Sequence, residues 1–293
     1  VGFKISSKAL LDKLANKGLE INKKEGYIKI DEKQLNQTIS KIKLFNNNKP
    51  NYSVSPNGTN QDKLNSKKNI LGVIGGGCIE FFDYEMGKCR EPLAKDLINT
   101  CRLCEGLDEI KYVGKALTVN YDIDMNKLDE NLKSLYSTSL LCKFTSKPGT
   151  SDSNSVNDLE YQIQMGSILY DSLDNFRKNP CLYEAIVVAS PLGIDRIQSD
   201  MLLKLIEYKL PVPILSAPIC GIQAPPSIIG SLVLISCEIL GLATIIRIID
   251  DEIPIMPSSI IGQFDMANMT VSYGGPEILL QKLLLKQFWN DFY

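Results

Sequence analysis

LYEAIVVASPLGIDRIQSDMLLKLIEYKLPVPILSAPICGIQAPPSIIGSLVLISCEILGLATIIRIIDDEIPIMPSS, residues 182–259, decides the fold. Three apolar runs, LYEAIVVAS at 182–190, VPILSAP at 212–218 and IPIMPSS at 253–259, alternate with stretches that fit helices at 194–208 and 226–248. Apolar runs with no polar face are strands covered on both sides, and regular strand–helix alternation marks a parallel sheet under helices.

The rhythm extends upstream to residue 94. A helix at 94–106 precedes KYVGKALTV (111–119), one at 126–136 precedes SLLCKF (139–144), and one at 156–175 leads into 182–190. A last helix is expected at 276–290. About five strand–helix units are fewer than the eight of a closed barrel, so either the sheet is open or the chain stops early. Before residue 94 the pattern differs. ISSKALLDKLANKGLE (5–20) fits an amphipathic helix capped by Ser6 or Ser7 and stopped at Gly18. GYIKI (26–30) fits a strand, 31–43 a helix and the Asn-, Ser- and Lys-rich 46–69 a long loop. ILGVIGGGCIEFFDYEMGKCREP (70–92) fits β-hairpins. Two regions result: an N-terminal α+β region over 1–93 and a (β/α) region over 94–293.

Charge and composition narrow the chemistry. The first 70 residues hold 14 lysines against 6 acidic side chains, a net of +8, and the remainder carries −10. The lysines are evenly spread among asparagines with few aromatics, which fits a solvated face better than a nucleic-acid surface. Histidine is absent, which excludes a Ser-His-Asp triad, a Cys-His dyad and any His-ligated metal within these residues. Eight cysteines are too sparse for a disulfide scaffold. Cys101 and Cys104 form a single CxxC on an expected helix, which reads as buried thiols rather than a zinc site. The N-terminus lacks a signal-peptide pattern, so the cytoplasm is the default expectation. Residues 210–237 carry no charge, but Pro211, Pro213, Pro218, Pro225 and Pro226 break the run, which favours a strand, a loop and a buried helix over a membrane span.

Three features could carry chemistry. GVIGGGC at 72–78 lacks the G-x-G-x-x-G spacing and reads as a turn rather than a phosphate loop. Glu238 is flanked on its helix by Leu234, Ile235, Gly241 and Leu242, so its carboxylate faces the interior and needs a partner, a proton or a role. A structural ion pair and a functional acid stand even. Gly230, Cys237, Gly241 and Thr244 form a small-residue stripe suited to close packing. Asp265 follows the strand 253–259, where parallel sheets build their sites, with loop capping as the plain alternative.

PICGIQAPPSIIGSLVLISCEILGL (218–242) resembles the signature of the trimethylamine methyltransferase (MttB-type) family of corrinoid-dependent methylamine and betaine methyltransferases. In that signature a Gly-x-x-Ala-Pro loop leads into a helix with an Ala-Glu-Val-Leu-like motif. Gly221, Ala224 and Pro225 match the loop, and Glu238 and Leu240 match the helix. Ser190-Pro191-Leu192, Ser258-Ser259, Phe264-Asp265, Gly274-x-Pro276-Glu277 and Gln287-Phe288 match in the same order. VGFKISSKALLDKLANKGLEI, GYIKI and FFDYEMGKCREPLAKDL resemble the family's opening modules.

The resemblance implies a TIM-type (β/α) barrel, here incomplete because family chains continue well past QFWNDFY. In trimethylamine-specific members the later region carries pyrrolysine. The implied chemistry is methyl transfer from a tertiary or quaternary amine to the Co(I) corrinoid of a cognate corrinoid protein. No cofactor binds this chain directly, and neither nucleic acid nor membrane is a partner; a homo-oligomer is left open. Glu238 and Asp265 are the implied catalytic carboxylates. Tyr273, Gly221 and Gln223 are assigned to the substrate, Tyr273 as a ring for the ammonium on chemistry alone. Family members usually carry histidines near the STSLLCKFTSKPGT position (137–150) and beside the helix glutamate, and none is present here. An inactive or fragmentary homologue, kept as a binding or assembly partner, is therefore the alternative. A lyase or aldolase would lean on Lys143 alone.

Overall fold

The computed structural model describes residues 2–22, 24–48, 72–120, 130–178 and 180–292. The chain is a mixed α/β protein that packs as two compact units, one made of residues 1–50 with 185–293 and the other of residues 51–184. None of the sheets formed by the described residues closes on itself.

In the first unit, Ile186–Val187, Val212–Ser216 and Ile255–Ser259 form a three-stranded sheet, parallel throughout, with Ile186 level with Ile214 and Ile214 with Pro257. The expected strand 182–190 is shorter and interrupted, because strand pairing lapses between Tyr183 and Ile186. The pairing of the second and third strands resumes past their ends at the same offset. Val212 lies level with Ile255 and Ile219 with Gly262, and Ile260 N–H bridges the gap to the Ser216 carbonyl at 3.1 Å. Gly262–Asp265 then turns back on Thr270–Ser272 as an antiparallel hairpin.

Helices Arg196–Glu207 and Ile228–Ile249 pack on the first sheet. The second begins at Ser227, whose side chain accepts from Gly230 N–H. It is the one helix among the described residues long and apolar enough to cross a membrane, and it is largely buried in the protein instead. The N-terminal strand Gly2–Ile5 pairs parallel with Gly193–Ile194 and antiparallel with Tyr27–Lys29. That pairing fixes Phe3, 1% exposed, against Gly241: a Cβ there would lie 2.8 Å from Phe3 Cδ2. The small-residue stripe thus does admit a close neighbour. Ser7 caps the helix Lys8–Ala15.

The second unit corrects three expectations. SLLCKF is not a strand; it ends the helix Glu130–Phe144. Leucine favours helix, and the hydroxyls that blur the helical pattern are satisfied within it, Ser137 Oγ donating to the Lys133 carbonyl and Thr138 Oγ1 to that of Ser134. Lys143 is therefore an exposed helical side chain, not a strand-end lysine. GVI (Gly72–Ile74) is not a hairpin arm either, since it pairs parallel with Ile110–Val113. Only Phe81–Asp83 and Lys88–Arg90 make the expected hairpin, tied by Arg90 to Asp83 at 2.8 Å and to Asp96 at 2.7 Å. The expected helix 156–175 breaks into Val156–Leu169 and Leu173–Lys178. Of the loop expected at 46–69, residues from 49 onward lie outside the described residues, as do residues 126–129 of the helix expected at 126–136.

The next parallel strand is the two-residue Gly149–Thr150, which pairs with Leu182–Tyr183. It also accepts from the preceding strand: Val113 N–H donates to the Pro148 carbonyl and Lys115 N–H to that of Thr150. Helices cover one face of this sheet. Leu97, Cys101, Val113, Leu140 and Leu141 form the core there, and the Cys101 thiol is pushed up to about 11 by burial. On the same face Glu184, 5% exposed, accepts from Ser153 N–H at 2.7 Å and Ser151 Oγ at 3.4 Å. Ser153 Oγ donates in turn to Gln162 on the covering helix. Burial raises the Glu184 carboxyl from 4.5 to about 7 against the pull of these donors.

Two outcomes test this packing. Gly241→Ala should cost about 1–3 kcal/mol in denaturant unfolding, because Phe3 is held by strands on both sides and the overlap outweighs the gain in helix propensity. A stabilised Gly241→Ala protein would show the contact to be loose. The folded-state pKa of Glu184 is raised, so its contribution is complete below about pH 4.5 and is lost as pH rises through about 7. Stability measured across that window should decline less steeply in Glu184→Gln than in the parent. Identical slopes would contradict the assignment.

Candidate active site at the strand ends

Glu238 lies in the middle of the helix Ile228–Ile249 and is 0% exposed. Its Oε2 accepts from Ser190 Oγ at 3.0 Å and Ser216 Oγ at 2.5 Å, and its Oε1 accepts from Leu192 N–H at 3.1 Å. Ser216 is the last residue of its strand, and Ser190 and Leu192 lie in the loop that follows Ile186–Val187. One carboxylate thus gathers the C-terminal ends of two neighbouring parallel strands. Among the described residues its hydrogen-bond partners are neutral donors. Leu192 has φ 52°, a left-handed conformation that a leucine adopts only when its surroundings hold it. Here the N–H is bound by Glu238, and the carbonyl accepts from Lys4 N–H at 2.9 Å.

The other residues singled out from the sequence lie in the segments beyond these strand ends, and none shares a hydrogen bond with Glu238. Gly221, at φ 91°, donates its N–H to the Ala224 carbonyl, and Gln223 Oε1 accepts from Ile219 N–H at 3.1 Å. The Gly-x-x-Ala-Pro loop is therefore a self-bonded turn whose glycine supplies the positive φ. Asp265 ends its strand and caps the hairpin, accepting from Ala267 N–H at 2.9 Å and Asn268 Nδ2 at 2.7 Å. The Asn268 amide, then the turn N–H groups, hold its carboxyl below the ordinary range. Tyr273 is 53% exposed, with its ring edge against Gly262.

The second unit has polar strand ends of its own, which sequence reasoning passed over. Asp152 follows Gly149–Thr150 with φ 49°, and Glu184 follows Leu182–Tyr183. Burial raises the Asp152 carboxyl despite the nearby Lys115 cation. The only signal available was an Asp and a Glu just after two strands, one of which is too short to read from the sequence. A cleft of about 440 Å³ also opens in this unit, lined by Lys115, Asn120, Ser134, Ser137 and Asn154 among others.

These placements set the comparisons with known proteins in context. A family model described as trimethylamine methyltransferase (MTTB) matches residues 1–289. The chain is 24% identical over 275 residues to the proline betaine:corrinoid methyltransferase of Eubacterium limosum, covering 89% of this chain and 54% of that protein. It is 21% identical over 286 residues to the trimethylamine methyltransferase MttB of Desulfitobacterium hafniense, covering 94% and 53%. It is 23% identical over 291 residues to the L-carnitine:corrinoid methyltransferase of Eubacterium limosum, covering 96% and 56%. The chain spans about half the length of these curated relatives. With the family model matched almost end to end, and with Glu238 set at the strand ends, the chain belongs to the trimethylamine methyltransferase family.

Proposed function

We propose that the whole protein moves a methyl group from a tertiary or quaternary amine, of trimethylamine or glycine-betaine type, to the Co(I) corrinoid of a cognate partner protein. The observation that carries the reading is the Glu238 carboxylate, which stands at a family-motif position and joins the carboxyl ends of two parallel strands. In α/β folds those ends are where substrates bind. Substrates whose methyl groups go to corrinoid are named for the relatives, among them proline betaine, trimethylamine and L-carnitine. On this reading residues 94–293 belong to a (β/α) barrel preceded by an N-terminal region over 1–93, and the reaction takes place in the cytoplasm.

The corrinoid, carried by the partner, supplies the nucleophilic metal, so this chain's residues have to bind and orient the amine and exclude water. Glu238 is fully buried and acts through what it holds: it keeps Ser190, Leu192 and Ser216 in one arrangement. Asp265, Gly221 and Gln223 shape the turns beyond the strands, and Tyr273 offers a ring beside them. The absence of histidine, where family members usually carry it, favours a second reading: a non-catalytic homologue that binds or assembles.

The two readings separate in one assay. The protein, supplied with a cognate corrinoid protein reduced to Co(I) and a panel of methylated amines, should convert the corrinoid to its methylated form, followed by absorbance. Glu238→Gln replaces one of the two accepting oxygens by a donor amide where donors already converge, a mismatch worth about 1–3 kcal/mol, so the rate should fall roughly 10- to 100-fold. No methylation with any amine would favour the non-catalytic homologue, and an unchanged rate in the variant would remove Glu238 from the site.

A further inference from the structure

The face of the second unit's parallel sheet opposite its helices carries side chains that no family motif picked out. Tyr183 lies level with Thr150. Thr150 lies level with Gly114, because Val113 N–H donates to the Pro148 carbonyl at 2.9 Å and Lys115 N–H to the Thr150 carbonyl at 3.1 Å. Level partners in a sheet project to the same side, as do residues two apart along one strand. Tyr112, Gly114, Thr150 and Tyr183 therefore share a face, opposite to the buried Val113, Leu182 and Glu184. A Cβ built on Gly114 would fall 2.4 Å from Thr150 Oγ1, which places both on this side. Between the two phenols the sheet presents Pro148, level with Tyr112, and Thr150, with Gly114 beside them. Their strands lie two apart and their levels two residues apart, roughly 12 Å in all, a span over which one cation can sit within about 6 Å of both ring centroids.

Asp152 completes the arrangement. Its φ of 49° turns it out of the extended course just after Thr150. Burial, then Tyr112 and Asp152, push the Tyr183 phenol up to about 12, so both neighbours lie within electrostatic reach of that hydroxyl. Tyr112, Asp152 and Tyr183 are all half-buried. A half-buried carboxylate close to aromatic rings suits a poorly hydrated cation better than a strongly hydrated one, because a methylated ammonium loses little on leaving water.

We infer that Tyr112, Tyr183 and Asp152 form a binding site for a methylated ammonium group, with two ring faces and one carboxylate around the quaternary nitrogen. The inference rests on the methyl-transfer reading for the choice of cation.

Tetramethylammonium is the probe, titrated into the full chain by calorimetry and by NMR of the tyrosine rings, with neutral neopentyl alcohol as the uncharged control. The chain should bind the cation at millimolar concentrations, and the alcohol more weakly. Tyr183→Leu, Tyr112→Leu and Asp152→Asn should each weaken binding about tenfold, and Tyr183→Phe, which keeps the ring face, should hold it within about threefold. Ring signals of Tyr112 and Tyr183 should shift in the unsubstituted chain, so the result does not depend on any variant folding. No binding, equal binding of the alcohol, or unchanged affinity in folded Tyr183→Leu and Asp152→Asn would overturn the site. Cation binding with these losses but no methyl transfer would leave the site standing and sink only the reaction.

Discussion

A buried carboxylate must be satisfied, and in this protein that constraint organises the strand ends of the first unit. Glu238 sits on the most apolar helix among the described residues, where an unpartnered charge would cost several kcal/mol. Three donors answer it, one at the end of a strand and two in the loop after its neighbour. The requirement works in both directions. The helix cannot accept the glutamate without those donors, and the loop at Ser190–Leu192, with Leu192 in a left-handed conformation, cannot keep its course without the glutamate.

The second unit meets the same constraint differently. Alternation along its strands sends Val113, Leu182 and Glu184 under the helices and Tyr112, Thr150 and Tyr183 to the other side. Glu184 is satisfied from the covered side by Ser151 and Ser153, which flank Asp152. One buried acid thereby holds the loop that carries the next one. In both units a buried glutamate fixes the segment that follows a parallel strand, so polar groups at the strand ends are held without being exposed.

Much of the first unit was legible in the sequence, because its strands are continuous apolar runs and its long helix has a cap, a small-residue stripe and a clear end. The interior position of Glu238 could be read from its neighbours three and four residues away, although the choice between an ion pair and neutral donors could not, since Ser190 and Ser216 are remote in sequence. The second unit was harder. Gly149–Thr150 stands in a Lys-Pro-Gly-Thr-Ser stretch that reads as loop, and its strand character comes wholly from Val113 and Leu182 on either side. SLLCKF reads as a strand because serines and threonines stand where a helix would show a cleaner stripe, and only the back-bonding of those hydroxyls reveals the helix. Asp265 shows the limit of motif reasoning: it stands in a stretch that resembles a family motif, while its hydrogen bonds are those of a turn cap.

Amide hydrogen exchange at Leu192 tests the organising role of Glu238 most directly, because that N–H donates to the carboxylate itself. Replacing Glu238 by Gln should speed exchange at Leu192 by about tenfold or more, the loss of one charge-assisted hydrogen bond, while Ile214 in the strand interior exchanges as before. Equal protection of Leu192 in both proteins would contradict the account, since the loop would then hold its course without the glutamate.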